Sequence, residues 1–191
     1  MMSPIAHLRI RHHYGRYAIV KEIIAGKGRR LLDVGCGSPA RCIPPGAFLD
    51  YVGYGEGIDI EPRKVMFEFQ VGSITNIPFG DETFEVVTAI EVIEHIADPL
   101  PALQEVHRVL KPKGTFVMTT PDNTPLFNIF WWFWERTFGR EWRSSHLTTY
   151  RKREWERVIR EDNHFEIKKV IAYWGINAIF VMEKNSAFPN R

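Results

Sequence analysis

The run Leu31-Leu32-Asp33-Val34 passes directly into Gly35-Cys36-Gly37. An apolar run ended by glycines reads as a buried strand entering a tight turn, a point where backbone can approach a ligand closely. The segments around it alternate in type. Residues 17–25 space their apolar side chains as an amphipathic helix would, and Gly26 and Gly28 end it. Gly57-Ile58-Asp59-Ile60, stopped by Pro62, gives a second strand, residues 65–71 a third, and the β-branched run Phe84–Ile90 a fourth. Asp98-Pro99 opens a helix striped by Leu100, Leu103, Val106 and Leu110, and residues 115–119 form a fifth strand. A helix over 152–162 precedes strands at 166–172 and 176–183, joined with no room for a helix, so one of them must run antiparallel. The order is that of a mostly parallel α/β sheet with ligands at the carboxyl ends of its strands.

Composition narrows the function. The 191 residues are 45% hydrophobic and 25% charged, as in one ordinary globular domain. The 25 Lys and Arg against 23 Asp and Glu lack the basic excess of a dedicated nucleic-acid binder, so no nucleic-acid partner is expected. Cys36 and Cys42 show no paired spacing, which disfavours a zinc site or disulfide framework and fits a reducing compartment. His12 and His13 lack further ligands at metal-like spacing, so no metal is expected. The start of the chain carries Arg and His where a signal peptide is apolar, and the run 126–134 is far short of the roughly 20 residues that cross a bilayer. A cytoplasmic location is the expectation.

The chemistry centres on the glycine turn and on Asp59 at the end of the next strand, where a carboxylate can accept hydrogen bonds from both hydroxyls of a ribose. A plain tight turn with a surface carboxylate is the competing reading. Two nucleotide cofactors compete as well. Gly35-Cys36-Gly37-Ser38-Pro39-Ala40 literally satisfies the dinucleotide pattern. A pyrophosphate, however, needs a helix N-terminus at the turn, and Pro44-Pro45-Gly46 leaves at most about one turn of helix. Asp33 also sets a negative charge beside the turn, unfavourable near phosphate and suited to the cationic S-adenosylmethionine.

LLDVGCG, GIDIEP, GSITNIPFGDETFEVVTAIEVIEHIADP and ALQEVHRVLKPKGTFVMTTP resemble, in order, the class I S-adenosylmethionine-dependent methyltransferases, nearest to the ubiquinone- and menaquinone-pathway enzymes. The resemblance covers roughly residues 31–121. It implies a Rossmann-like seven-stranded sheet with the last strand antiparallel, helices on both faces, S-adenosylmethionine as cofactor and S-adenosylhomocysteine as product. On that pattern Asp33, Gly35, Cys36 and Gly37 line the methionine end and Asp59 holds the ribose. Ile60 packs on adenine, Ser73 and Ile74 sit at its edge, and Ile90 and Glu91 lie near the sulfonium. Departures are Pro39 for a frequent third glycine, Ser73 for a common aspartate, and the Pro44-Pro45 pair. Only about six residues separate Ile60 from the third strand, where a parallel crossover takes a dozen, so one covering helix is expected to be shortened or missing. The N-terminal helix or a second subunit, as in a homodimer, is expected to cover that face.

The whole chain reads as one domain: an N-terminal helical segment (1–28), a cofactor-binding core (29–120), an aromatic-rich covering insertion (121–150) and a C-terminal helix with two strands (151–191). Methyl transfer needs a base only if the accepting atom is protonated. The candidates are His95, after the fourth strand, and His146, with Tyr150 as its orienting partner; each has a structural reading beside the catalytic one. Phe130, Trp131, Trp132, Phe133 and Trp134 offer a lid over a small hydrophobic or aromatic acceptor, a patch for a membrane surface, or a helix packed in the core. A nucleoside-binding module without turnover, and more distantly an NAD-dependent oxidoreductase, remain alternatives.

Overall fold

In the computed structural model, residues 4–37, 43–137, 147–148 and 150–186 are described. The chain runs α1 (Pro4–Ile24), β1 (Leu31–Val34), α2 (Ala47–Val52), β2 (Glu56–Asp59), β3 (Glu68–Val71), β4 (Phe84–Ile90), a 3-10 turn (Ile93–His95), α3 (Leu100–Val109), β5 (Leu110–Pro121), α4 (Pro125–Thr137), α5 (Lys152–Asp162), β6 (Phe165–Tyr173) and β7 (Asn177–Lys184). The strands form one sheet in the order β3-β2-β1-β4-β5-β7-β6. The first five are parallel, and β7 runs antiparallel between β5 and β6. This is the expected Rossmann-like seven-stranded architecture.

Side-chain alternation along the strands divides the core in two. Leu32, Val34, Val87, Phe116 and Met118 face α3 and α5, where Leu103, Val106, Trp155 and Ile159 cover them. Leu31, Val86, Val117 and Ile179 face α1 and α2, under Tyr17, Val20, Ile24, Phe48 and Leu49. Trp155 has no exposed surface and is among the largest side chains of the first core. Trp155→Ala is expected to cost about 3–5 kcal/mol of stability, seen as a lower denaturation midpoint at unchanged slope.

Four elements differ from the sequence expectation, the first being β3, which begins at Glu68 rather than residue 65. α1 starts well before residue 17, because its first half is rich in Arg and His and shows no apolar periodicity. β5 starts at Leu110, directly after α3: Leu110 already pairs with Phe84, and the register shifts before Val86. α2 is six residues long rather than one turn, starting immediately after Pro44-Pro45-Gly46 with Gly46 left-handed at its N-cap.

The connection from β2 to β3 contains no helix, and neither does the one from β3 to β4. α1 lies on the face left thin, but over β1, β4, β5 and β7 rather than over β3. Near β2 the covering is done by the connection itself: a Cβ on Gly57 would fall 2.6 Å from the Phe67 ring. Most of β3 stays exposed, Val71 by 55%.

Candidate functional site

At the carboxyl ends of β1, β2 and β4 lies a cavity of about 420 Å³, within the range of small-molecule sites. Every residue expected to bind cofactor lines it: Asp33, Gly35, Cys36, Gly37, Asp59, Ile60, Ser73, Ile74, Ile90 and Glu91. The glycines are there for clearance. Gly35 is left-handed (φ 71°), and a Cβ on it would meet Val92 at 2.4 Å. A Cβ on Gly37 would stand 2.3 Å from Asp59 Oδ2, and the Gly37 amide instead donates to that oxygen at 2.9 Å. Asp59 Oδ1 accepts from the Glu61 amide at 3.1 Å and lies 3.4 Å from Arg63 Nη2. Arg63 also pairs with Glu61, at 3.0 Å.

Asp33 is buried on the α1 face and accepts a 2.6 Å hydrogen bond from the Thr88 hydroxyl. Burial pushes its carboxyl up to about 7; the Thr88 bond opposes that shift and the Asp59 charge adds to it. Burial likewise raises the Cys36 thiol, helped by Asp33 and Asp59, so Cys36 stays a neutral, unreactive wall. Glu91, the residue after β4, is left-handed (φ 58°), and its carboxylate turns toward Arg16, Thr119 and Asn177. The charged side chains lining the cavity are four acids (Asp33, Asp59, Glu61 and Glu91) and one base (Arg63), a balance that favours a cationic ligand over a phosphate.

Residues 32–118 match the model of a methyltransferase domain. The chain is 35% identical over 109 residues to an uncharacterized methyltransferase of Schizosaccharomyces pombe, covering 46% of this chain and 38% of that protein. It is 27% identical over 165 residues to the demethylmenaquinone methyltransferase of Alkalihalophilus pseudofirmus, covering 76% and 70%. In fold it resembles geranyl diphosphate C-methyltransferase of Streptomyces coelicolor, solved with Mg2+, geranyl diphosphate and S-adenosylhomocysteine (TM-score 0.68, 13% identity, 92% of this chain and 80% of that one). Over residues 32–118 the chain is thus similar to methyltransferase domains, and its fold is the Rossmann-like one of solved methyltransferases. The chain spans less than half the length of the fission-yeast relative.

Around this cavity the base candidates separate. His95, on the 3-10 turn after β4, lines the cavity. Tyr150 does not; its ring packs on Trp155 at 5.1 Å against the core, because α5 begins two residues later and draws it inward. His146 lies outside the described residues. In the aromatic segment, Phe127 is buried and stacks on Trp131 at 5.6 Å, whereas Ile129 and Trp132 are exposed. No described helix is long and apolar enough to cross a membrane.

The cavity also contains residues that the sequence did not single out, chiefly Tyr17 from α1, Phe48 from α2, and Arg63. Tyr17 carries no local signal for this, since its helical spacing marks it only as a core residue. Arg63 follows Pro62 and reads as a solvated loop charge until Asp59, four residues before it, is seen to turn back on it.

Proposed function

We propose that this domain transfers a methyl group from S-adenosylmethionine to a small, apolar acceptor. The observation that carries this reading is the pair of acids, Asp33 and Asp59, at a glycine turn where a Cβ on Gly37 would fill the space beside Asp59. In this reading Asp59 takes the two ribose hydroxyls after Arg63 swings away, and Asp33 faces the methionine ammonium. Ile60 packs on the adenine, with Ser73 and Ile74 at its edge. Ile60 is 74% exposed, as expected of a residue whose partner is a ligand. The cofactor supplies a methyl carbon already activated by the sulfonium. An acceptor lone pair forms the new bond to that carbon while the carbon–sulfur electrons stay on sulfur, leaving S-adenosylhomocysteine. The chain's own residues supply alignment and exclusion of water, and His95, which lines the cavity, takes a proton if the acceptor carries one in this reading.

An apolar acceptor is supported by α4, which begins four residues after β5 ends and exposes Ile129 and Trp132. The same surface would suit contact with a membrane carrying a lipid-like acceptor. The demethylmenaquinone methyltransferase relative is named for an acceptor of this kind. The expected result in calorimetry is binding of S-adenosylmethionine and S-adenosylhomocysteine, and none of NAD. Label from methyl-labelled S-adenosylmethionine should then appear in an apolar fraction of a metabolite and lipid extract. NAD binding without S-adenosylhomocysteine binding would overturn the reading. Binding without transfer would leave a nucleoside-binding module.

A further inference from the structure

Arg16, on α1, has no exposed surface, and its Nη1 lies 3.2 Å from Oε1 of Glu91, the residue after β4. The same carboxylate accepts from the Thr119 hydroxyl at 2.8 Å and from Asn177 Nδ2 at 3.2 and 3.0 Å. Residues from the carboxyl ends of β4 and β5 and the start of β7 thus meet α1 at one carboxylate, which also forms part of the cavity wall. Next to Arg16 in sequence, Tyr17 is 4% exposed and lines the cavity together with Asp33. On the other side, Gly15 lets the helix approach β6: a Cβ there would sit 2.5 Å from the Tyr173 hydroxyl, which donates to the His12 carbonyl at 2.9 Å.

A glycine inside a helix costs about 1 kcal/mol relative to alanine. A buried ion pair contributes little net stability, and apolar replacements often match it. Their combination on α1 is poorly explained by stability and well explained by placement. We propose that α1 is a strap closing over the cofactor pocket and that Arg16, through Glu91, is the positioning residue that holds Tyr17 against it. This rests on the reading of the cavity as an S-adenosylmethionine site. Arg16 touches neither cofactor nor acceptor; it fixes the wall that Glu91 and Tyr17 form. Bound cofactor in turn tightens the strap, because the two events share one set of contacts.

The test measures S-adenosylhomocysteine affinity by calorimetry and amide hydrogen exchange across α1 with and without that ligand. Arg16→Met is expected to weaken binding about tenfold or more and to abolish the ligand-induced protection of α1, within the usual range of coupling between sites. Arg16→Lys should recover part of both. Because Arg16→Met strands the half-buried Glu91 carboxylate, the double variant Arg16→Met/Glu91→Gln, which removes both charges of the pair, guards against a simple folding defect and should bind as weakly. Gly15→Ala, which displaces the Tyr173 hydroxyl without touching the ion pair, should also reduce the protection. The strap is overturned if the double variant binds within about twofold of the wild type, too little for sites coupled in this way. It is equally overturned if wild-type α1 exchanges at the same rate with and without ligand. A wild type that fails to bind S-adenosylhomocysteine at all overturns the reading of the cavity, and the strap with it.

Discussion

Replacing Asp59 with alanine is expected to weaken S-adenosylhomocysteine binding at least about a hundredfold, since two hydrogen bonds to a charged carboxylate are each worth roughly 1.5–3 kcal/mol. The fold should survive, because Asp59 sits at a strand end on the cavity wall rather than inside either core. Calorimetry on the purified variant, with its denaturation midpoint as control, reads the effect. Unchanged affinity would show that the ribose is not held there. Arg63 gives the same experiment an opposite arm. Its guanidinium lies 3.4 Å from the Asp59 oxygen that the ribose would use, so Arg63→Ala should strengthen binding by removing a competitor.

The second large effect concerns Asp33 and pH. Its carboxyl, pushed by burial up to about 7, is partly protonated near neutrality. A cationic ammonium prefers the ionised form, so ligand binding should release a proton. Affinity for S-adenosylhomocysteine should fall as pH drops below 7, approaching tenfold per unit well below that value. The ligand-free domain should show the reverse trend. A carboxyl whose folded value is raised contributes stability that is fully present below its unfolded value, near 4, and lost as pH rises through about 7. Asp33→Asn keeps an acceptor for the Thr88 hydroxyl while removing the charge. It should flatten the affinity–pH profile between 6 and 8 and weaken binding at pH 8 about tenfold or more, the scale of a charge-assisted contact. A variant retaining the slope would assign it to another group.

Much of this was legible from residue order. β4 and α5 begin and end at the residues their patterns indicate, because an uninterrupted β-branched run and a strongly amphipathic run each permit one burial. The glycines and Asp59 announce the cavity because close approach to a ligand removes side chains, and an absent side chain is visible in a sequence. What stayed hidden was contact across distance. Arg16 and Glu91 are each ordinary charges in their own neighbourhoods; only the sheet brings them together. The part of α1 before Tyr17 carries no apolar stripe because it docks through a guanidinium, ring contacts and one close glycine approach. Tyr150 shows the same limit from the other side: four positions from His146 in the sequence, its ring packs on the Trp155 indole against the core.

The cluster on Glu91 has a bearing on how the chain matures. Asn177 lies 86 positions beyond Glu91, and the Tyr173–His12 bond spans 161. Closing such large loops is entropically unfavourable until enough sheet exists to compensate. The Glu91 corner of the pocket is therefore expected to be among the last parts to assemble, once β7 has threaded between its two neighbours. Ligand capture that depends on the Glu91 wall would then report a sheet completed through its last strand.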